Sequence, residues 1–225
     1  MTEMGLAPGL VIDLCSGYGT GTIAFREHGH TVVTVDWNPE VSPVVLADVR
    51  DLPRFIKDAR PWGVWFSPDC RPFSYARHVW ARYPDKTIVP EAMETIWTVL
   101  DQIRDWDPTW WLMENPRGHL QDEIGPPKFE TNWCAWGKPY RKPTQFWGKF
   151  PHNLAQPCRH AVHRQRVTFR QTLLAPRDRV RALRSRYATR ATVFEASTRD
   201  PTRRAEIPRA FAEAVYQAAT ARGPA

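Results

Sequence analysis

The sequence predicts an α/β fold with a mostly parallel sheet and helices on both faces. Two observations carry that expectation. A strand, a glycine-rich loop, a helix and a second strand follow one another between Leu10 and Asp36. Three apparent strands also end in short polar clusters, at Asp13 to Gly21, Ser67 to Ser74 and Glu114 to Gly118. Ligands of open parallel sheets sit beyond the carboxyl ends of the strands, so these clusters should converge on one crevice.

Each element has its own warrant. Leu10-Val11-Ile12 is an apolar run ending in Asp13-Leu14, and Cys15-Ser16-Gly17-Tyr18-Gly19-Thr20-Gly21 follows as a loop. Ile23, Ala24 and Phe25 with Glu27 read as a helix stopped by Gly29, and Thr31 to Val35 is a β-branched strand ending at Asp36. Val44 to Leu46 suggests a third strand, Asp51 to Ala59 a short helix, and Trp62 to Phe66 a fourth strand. Glu91 to Trp106 places Ile96, Val99, Leu100 and Ile103 at helical spacing. Trp110 to Met113 is a fifth strand, and Pro116 keeps the chain extended so that Glu114 and Asn115 project. Beyond residue 120 the pattern breaks into Pro, Gly and aromatic residues. Arg166 to Phe169 is a late strand by composition, and Pro208 to Ala221 a closing helix. The expected division is a ligand-binding core over 1–120 and an irregular, basic part over 121–225, together one compact domain.

Composition excludes several classes. No apolar run approaches the roughly 18 residues that span a bilayer, and the N-terminus lacks a signal peptide's basic and apolar regions. A soluble, intracellular protein is expected, and its four Cys are therefore not a disulfide framework. Residues 1–158 carry 16 Lys and Arg against 19 Asp and Glu, whereas residues 159–225 carry 15 against 5. A coding bias toward Arg would raise it throughout, and the acidic first part argues against one. A polyanion partner, nucleic acid above all, fits the basic part.

The loops narrow the ligand. Counted from Gly17 the glycines run G-x-G-x-G with Thr22 at the third position, which fails the dinucleotide fingerprint. Asp36 is placed to accept hydrogen bonds from a ribose diol and Asp48 from an exocyclic amine. A nucleoside without a pyrophosphate fits, and S-adenosyl-L-methionine is such a molecule. Cys70, at a strand tip among Pro68 and Pro72, is a nucleophile candidate as well as an ordinary packed thiol. Glu114 follows the apolar run Trp110 to Met113, which should raise its pKa and let it donate a proton.

Together these residues resemble the DNA cytosine-5 methyltransferases, and in particular the short phage and prophage members. DLCSGYGTGTIAFREHGHTVVTVD is similar to the family's first motif. SPDCRPFS at 67–74 resembles its P-C-x-x-F-S catalytic loop, and WLMENPRG at 111–118 its E-N-V motif with Pro in place of Val. YRKPTQFWGKFP and AEIPRAFAEAVYQA look like later segments of the phage-type proteins.

The resemblance implies a Rossmann-like class I methyltransferase fold and methyl transfer from S-adenosyl-L-methionine to C5 of cytosine in DNA. Cys70 would add to C6, and Glu114 would hydrogen-bond or protonate N3 with Asn115 positioning it. The donor would be held by Asp13, Cys15, Ser16, Gly17, Tyr18, Gly19, Thr20, Asp36, Trp37, Asp48, Val49 and Pro68. DNA would be contacted by Arg71, Ser74, Arg77, Arg117, Arg141, Lys142, Arg164 and Arg166, with the target base flipped out or already single-stranded. A cytoplasmic monomer in a bacterium or phage-infected cell is expected. The same chemistry on RNA or a cytosine nucleotide, and a catalytically silent DNA-binding homologue, are the alternatives.

Three departures from the family pattern matter. Asp69 stands where a second Pro is usual, and its charge should raise the Cys70 pKa. Cys15 replaces an aromatic residue. Of the Q-x-R-x-R motif only Arg164-Gln165-Arg166-Val167 offers a part. There is little room for a large target-recognition region, so short or relaxed sequence preference is expected. Two weaker constellations remain. Cys134, Cys158, His160 and His163 are a possible zinc set with non-standard spacing. Trp133, Trp136, Tyr140, Phe146 and Trp147, mixed with Lys138, Arg141 and Lys142, would either stack bases or form a satellite core.

Overall fold

The computed structural model of the protein describes residues 9–75, 90–157 and 206–221. Seven strands form one sheet: β1 (Leu10–Leu14), β2 (Thr31–Asp36), β3 (Val45–Leu46), β4 (Gly63–Phe66), β5 (Trp110–Pro116), β6 (Phe129–Asn132) and β7 (Pro143–Trp147). Their order is β3-β2-β1-β4-β5-β7-β6. The first five pair in parallel, and β7 runs antiparallel to both β5 and β6. The helices among the described residues are α1 (Ile23–Glu27), α2 (Arg54–Lys57), α3 (Pro90–Trp106), α4 (Leu120–Ile124) and α5 (Arg209–Thr220). This strand order, with one reversed strand inside the far edge, is that of the class I methyltransferase fold. No helix among the described residues is long and apolar enough to cross a membrane.

Side-chain alternation divides the core into two layers. Ile12, Leu14, Val64, Phe66 and Met113 face one way and pack with Ile96, Val99, Ile103 and Trp106 of α3. Val11, Trp65, Trp110 and Leu112 face the other way, against Phe25 of α1 and Phe211 and Val215 of α5. Both faces of the central strands are therefore covered, which is why they read as apolar runs and not as alternating ones. The closing helix is seated by packing. Phe211 lies 4.9 Å from Phe146 and 5.2 Å from Trp133, ring centroid to centroid. The Arg209–Glu27 pair, at 2.6 Å, sits on the surface and adds at most about 1 kcal/mol.

The segment beyond residue 120 corrects the sequence expectation. Residues 129–132 and 143–147 are strands of the same sheet, so the region expected to be irregular completes the core at 1–120. Its aromatic residues turn inward: Trp133, Tyr140, Phe146 and Trp147 are buried, and Trp136 packs edge-on against Phe211. Trp147 packs in the α3-side layer and the others in the α5-side layer, so the base-stacking alternative falls. The late strand expected at Arg166 to Phe169 lies outside the described residues.

The topology positions the site. Strands β1 and β4 are parallel neighbours at the centre, and the chain order reverses between them. Their exits, Cys15 to Gly21 and Ser67 to Ser74, flank the point where open sheets bind ligands. The exit of β5 adjoins β4 on the same edge.

Candidate active site

The loop after β1 turns by left-handed backbone. Cys15 has φ 52°, Gly17 φ 51° and Gly19 φ 66°, and the Gly19 N–H donates to the Ser16 carbonyl at 2.8 Å. Glycine carries such dihedrals without the steric cost that Cys15 bears. Asp36, at the tip of β2, holds the loop. One of its carboxylate oxygens accepts from the Gly17 N–H at 2.9 Å and the other from the Asn38 N–H at 2.9 Å. A carboxylate offers about four acceptor positions, so two remain for a diol. Trp37, next to Asp36, is 69% exposed, and Tyr18 is exposed in the same glycine loop.

Carboxylates surround this end of the crevice. The Cys15 thiol is pushed up by burial first, and then by the negative charges of Asp36, Asp13, Asp48 and Asp69. Asp13 is buried in β1 and accepts from the Thr22 hydroxyl at 2.6 Å through Oδ2, while its Oδ1 has no hydrogen-bond partner among the described residues. Burial raises its pKa to about 7, against opposing contributions from the Thr22 hydrogen bond and the Arg26 charge, and Asp36 adds to the rise. Of these groups Asp36 is the one whose carboxylate meets only backbone N–H groups among the described residues, and it is chemically suited to a ligand carrying a positive charge.

Other residues expected at the donor have different partners. The Asp48 carboxylate faces Arg50, which contacts it through Nε at 3.1 Å and Nη2 at 2.6 Å and so holds it acidic. Val49 packs in the core. The Thr20 hydroxyl accepts from the Ile207 N–H at 3.0 Å and tethers the glycine loop to the approach to α5.

The loop after β4 is stapled to the exit of β5 by a side-chain hydrogen bond and a backbone bridge. The Asn115 carboxamide, at the end of β5, donates from Nδ2 to the Pro68 carbonyl at 3.2 Å. Ser74 and Gly118 form an antiparallel bridge, and the His119 N–H donates to the Phe73 carbonyl at 2.7 Å. Gly118 is required by this approach, because a Cβ there would collide with the Phe73 carbonyl oxygen. Between these anchors Cys70 precedes a short 3-10 turn over Arg71–Phe73. The thiol is partly exposed and free.

Glu114 stands opposite Phe146 in the β5–β7 ladder and is buried. Its Oε1 lies 3.9 Å from the Lys142 ammonium and has no hydrogen-bond partner among the described residues. Burial raises the Glu114 pKa, and the Lys142 charge opposes that. Burial is also the largest cause of the raised Cys70 pKa. Lys142 pulls it down, and Glu114 and then Asp69 push it up. The Glu114 charge thus acts on Cys70, and among the described residues Lys142 is the cation that acts on both. Asp69 contributes least of these charges, and its carboxylate is held by Arg71, with Nη2 to Oδ2 at 2.6 Å.

Several residues expected to contact DNA are engaged within the protein. Arg117 pairs with Glu130 at 2.8 Å, and the Arg141 Nε reaches the Asn132 side-chain oxygen at 3.4 Å. Arg77, Arg164, Arg166, Cys158, His160 and His163 lie outside the described residues. Cys134 is buried in the turn after β6, and no group of three metal-ligating side chains occurs among the described residues. Sequence reasoning missed the Thr20–Ile207 tether and the Lys142–Glu114 pair. Both join positions far apart in the chain, and only the YRKPTQFWGKFP segment hinted at the second.

No protein-family model matches the chain, and no curated protein does. Among solved structures it is similar to a prophage-encoded E. coli protein assigned as a DNA modification methyltransferase, with 18% identity and a TM-score of 0.45, covering 62% of this chain and 46% of that one. It is similar also to the S. pombe Dnmt2 methyltransferase, with 15% identity and a TM-score of 0.45, covering 64% and 50%. A third is the Entamoeba histolytica methyltransferase EhMeth, with 16% identity and a TM-score of 0.46, covering 69% and 55%. The chain thus spans about half the length of each. At these scores the fold class rests on the strand order alone.

Two outcomes follow from the ionisation of the site. Folded Asp13 keeps its proton to about pH 7, whereas the unfolded chain releases it near 3.8. The native state binds more protons in that window, so stability falls as pH rises through it. Urea denaturation at pH 5 and pH 8 should show the wild type losing a few kcal/mol more than Asp13→Asn over that range, a tenfold difference in proton affinity being worth about 1.4 kcal/mol. Equal losses contradict the buried-acid account. Replacing Asp69 with Pro removes one negative charge near Cys70 and releases Arg71. The midpoint for iodoacetamide alkylation of Cys70 should then move to lower pH, by up to about 1 on the pH scale, and an unchanged or higher midpoint contradicts it.

Proposed function

We propose that the chain transfers a methyl group from S-adenosyl-L-methionine to C5 of cytosine in DNA, through a covalent bond between Cys70 and C6. What supports this reading is that Cys70 and Glu114 lie at the exits of the adjacent parallel strands β4 and β5. Asn115 ties the two exits together, and the buried Glu114 Oε1 faces Lys142 with no hydrogen-bond partner among the described residues.

The residues present fit the donor. The open turn at Gly17 and Gly19 and the remaining acceptor positions of Asp36 suit the nucleoside, and exposed Trp37 offers a face for the adenine. Asp36, whose carboxylate meets only backbone N–H groups among the described residues, favours a cation. When bound, S-adenosyl-L-methionine supplies an electrophilic methyl group.

The chain's own residues do the rest. Cytosine C5 is a poor nucleophile until C6 is attacked, and Cys70 makes that attack as thiolate. Glu114, whose pKa burial raises, donates to N3 from its protonated form and stabilises the charge that develops in the ring. Asn115 fixes the Pro68 carbonyl and with it the distance between the two groups. A base stacked in a duplex cannot present its face to Cys70, so the target is flipped out or single-stranded. The Arg-rich part at 159–225 supplies phosphate contacts, which weaken steeply with salt.

Nucleoside mass spectrometry of host DNA and RNA after expression tests this. 5-Methylcytosine should appear with wild type, in DNA, and vanish with Cys70→Ser. Product confined to RNA would move the same chemistry to another polymer. No 5-methylcytosine in either, alongside retained DNA binding, would identify a silent binding protein and overturn the reading.

A further inference from the structure

Lys142 reads in the sequence as a phosphate contact, but its position is different. It immediately precedes β7, its carbonyl accepts from the Trp133 N–H at 3.2 Å, and its ammonium lies 5.9 Å from the centre of the Trp133 ring. The side chain is only 21% exposed, and its charged end is 3.9 Å from Glu114 Oε1. The exit of β4 brings Asp69, Cys70 and Arg71 to the same crevice, where Asp69 and Arg71 largely neutralise each other. Among the described residues the other charged groups acting on Cys70 are Glu114 from β5 and Lys142 from the approach to β7.

Building on the proposed reaction, we propose that Lys142 is a positioning residue: with Cys70 and Glu114 it forms a largely enclosed triad holding one positive and one negative charge, in which the negative charge passes between carboxylate and sulfur. A buried charge without a partner is strongly disfavoured, and two buried anions beside one cation more so. The triad avoids both. At rest Cys70 is a thiol and Glu114 a carboxylate facing Lys142. In the reactive form the S–H bond is broken, Glu114 holds the proton, and the thiolate faces Lys142 instead. Net charge is unchanged.

The addition then balances. The sulfur electron pair forms the S–C6 bond, the C5–C6 π pair moves to C4–C5, and the C4–N3 π pair takes the proton from Glu114 at N3. Glu114 returns to carboxylate opposite Lys142, and the hydrogen that began on Cys70 ends on N3. The ring is left neutral with a nucleophilic C5.

Lys142→Met and Lys142→Arg test this in the full chain without DNA or donor, by iodoacetamide alkylation of Cys70 followed at the peptide level from pH 6 to 10. Lys142→Met should raise the alkylation midpoint by about 1 on the pH scale and slow alkylation at neutral pH about tenfold. Lys142→Arg should return the rate to within about threefold of wild type, which a purely structural role would not produce. Profiles that coincide for wild type and Lys142→Met overturn the triad, as does a reduced salt dependence of DNA binding as that variant's sole change. Glu114→Gln gives a second measurement that leaves the lysine in place. It should lower the midpoint, and an unmoved midpoint overturns the proposal even if Lys142→Met does not fold. Covalent capture of 5-fluorocytosine DNA by the wild type separates the two claims. Capture without the alkylation changes sinks the triad alone, and those changes without capture sink the proposed reaction while the triad stands.

Discussion

The hydrogen bond from the Asn115 carboxamide to the Pro68 carbonyl joins two parts of the chain that are 47 residues apart in sequence. It is buried, so losing one partner would leave the other unsatisfied and cost about 1–3 kcal/mol. The Ser74–Gly118 bridge and the contact between Phe73 and His119 lie just beyond it. Together they fix the loop after β4 to the exit of β5. Without this staple Cys70 would ride on a loop and Glu114 on a strand, with nothing setting the space between them. Parallel pairing of β4 and β5 brings the two exits near each other, and the staple converts nearness into a fixed geometry.

Charge is sorted on either side of that staple. Toward β1 and β2 the crevice is acidic, with Asp13, Asp36, Asp48 and Asp69 acting together on the Cys15 thiol. Toward β7 the ammonium of Lys142 is the cation that acts on Cys70 and Glu114 among the described residues. One end therefore suits a cationic donor, and the other tolerates one anion at a time. The acidic end keeps Cys15 protonated, so of the two thiols at these strand exits Cys70 is the one with a cation to favour its ionised form.

Much of this was legible in the sequence, for local reasons. β1, β2 and β4 are buried on both faces and read as apolar runs, and the glycines after β1 and the prolines around Cys70 mark turns. The α5 helix shows a clear apolar stripe. β6 and β7 did not read as strands because prolines at 126, 127 and 139 flank them, Pro143 opens β7, and their apolar positions are mixed with polar ones. The pairing of β7 against β5 supplies what local pattern could not. The site divides in the same way. Cys70, Glu114 and the glycine loop stand out by position after strands. The partners of Asp48, Arg117 and Lys142 are Arg50, Glu130 and Glu114, and the last two are tertiary neighbours. A charged side chain in a sequence looks available until the fold shows what it faces.

The central claim is that Cys70 and Glu114 address opposite edges of one pyrimidine. The most direct measurement is a crystal structure of the protein with S-adenosylhomocysteine and an oligonucleotide containing a mechanism-trapping cytosine analogue. The account predicts Cys70 Sγ bonded to C6 and a Glu114 carboxyl oxygen within hydrogen-bond distance of N3 of that same ring. A base bound elsewhere, or one reached by the sulfur while Glu114 faces only protein, would contradict it.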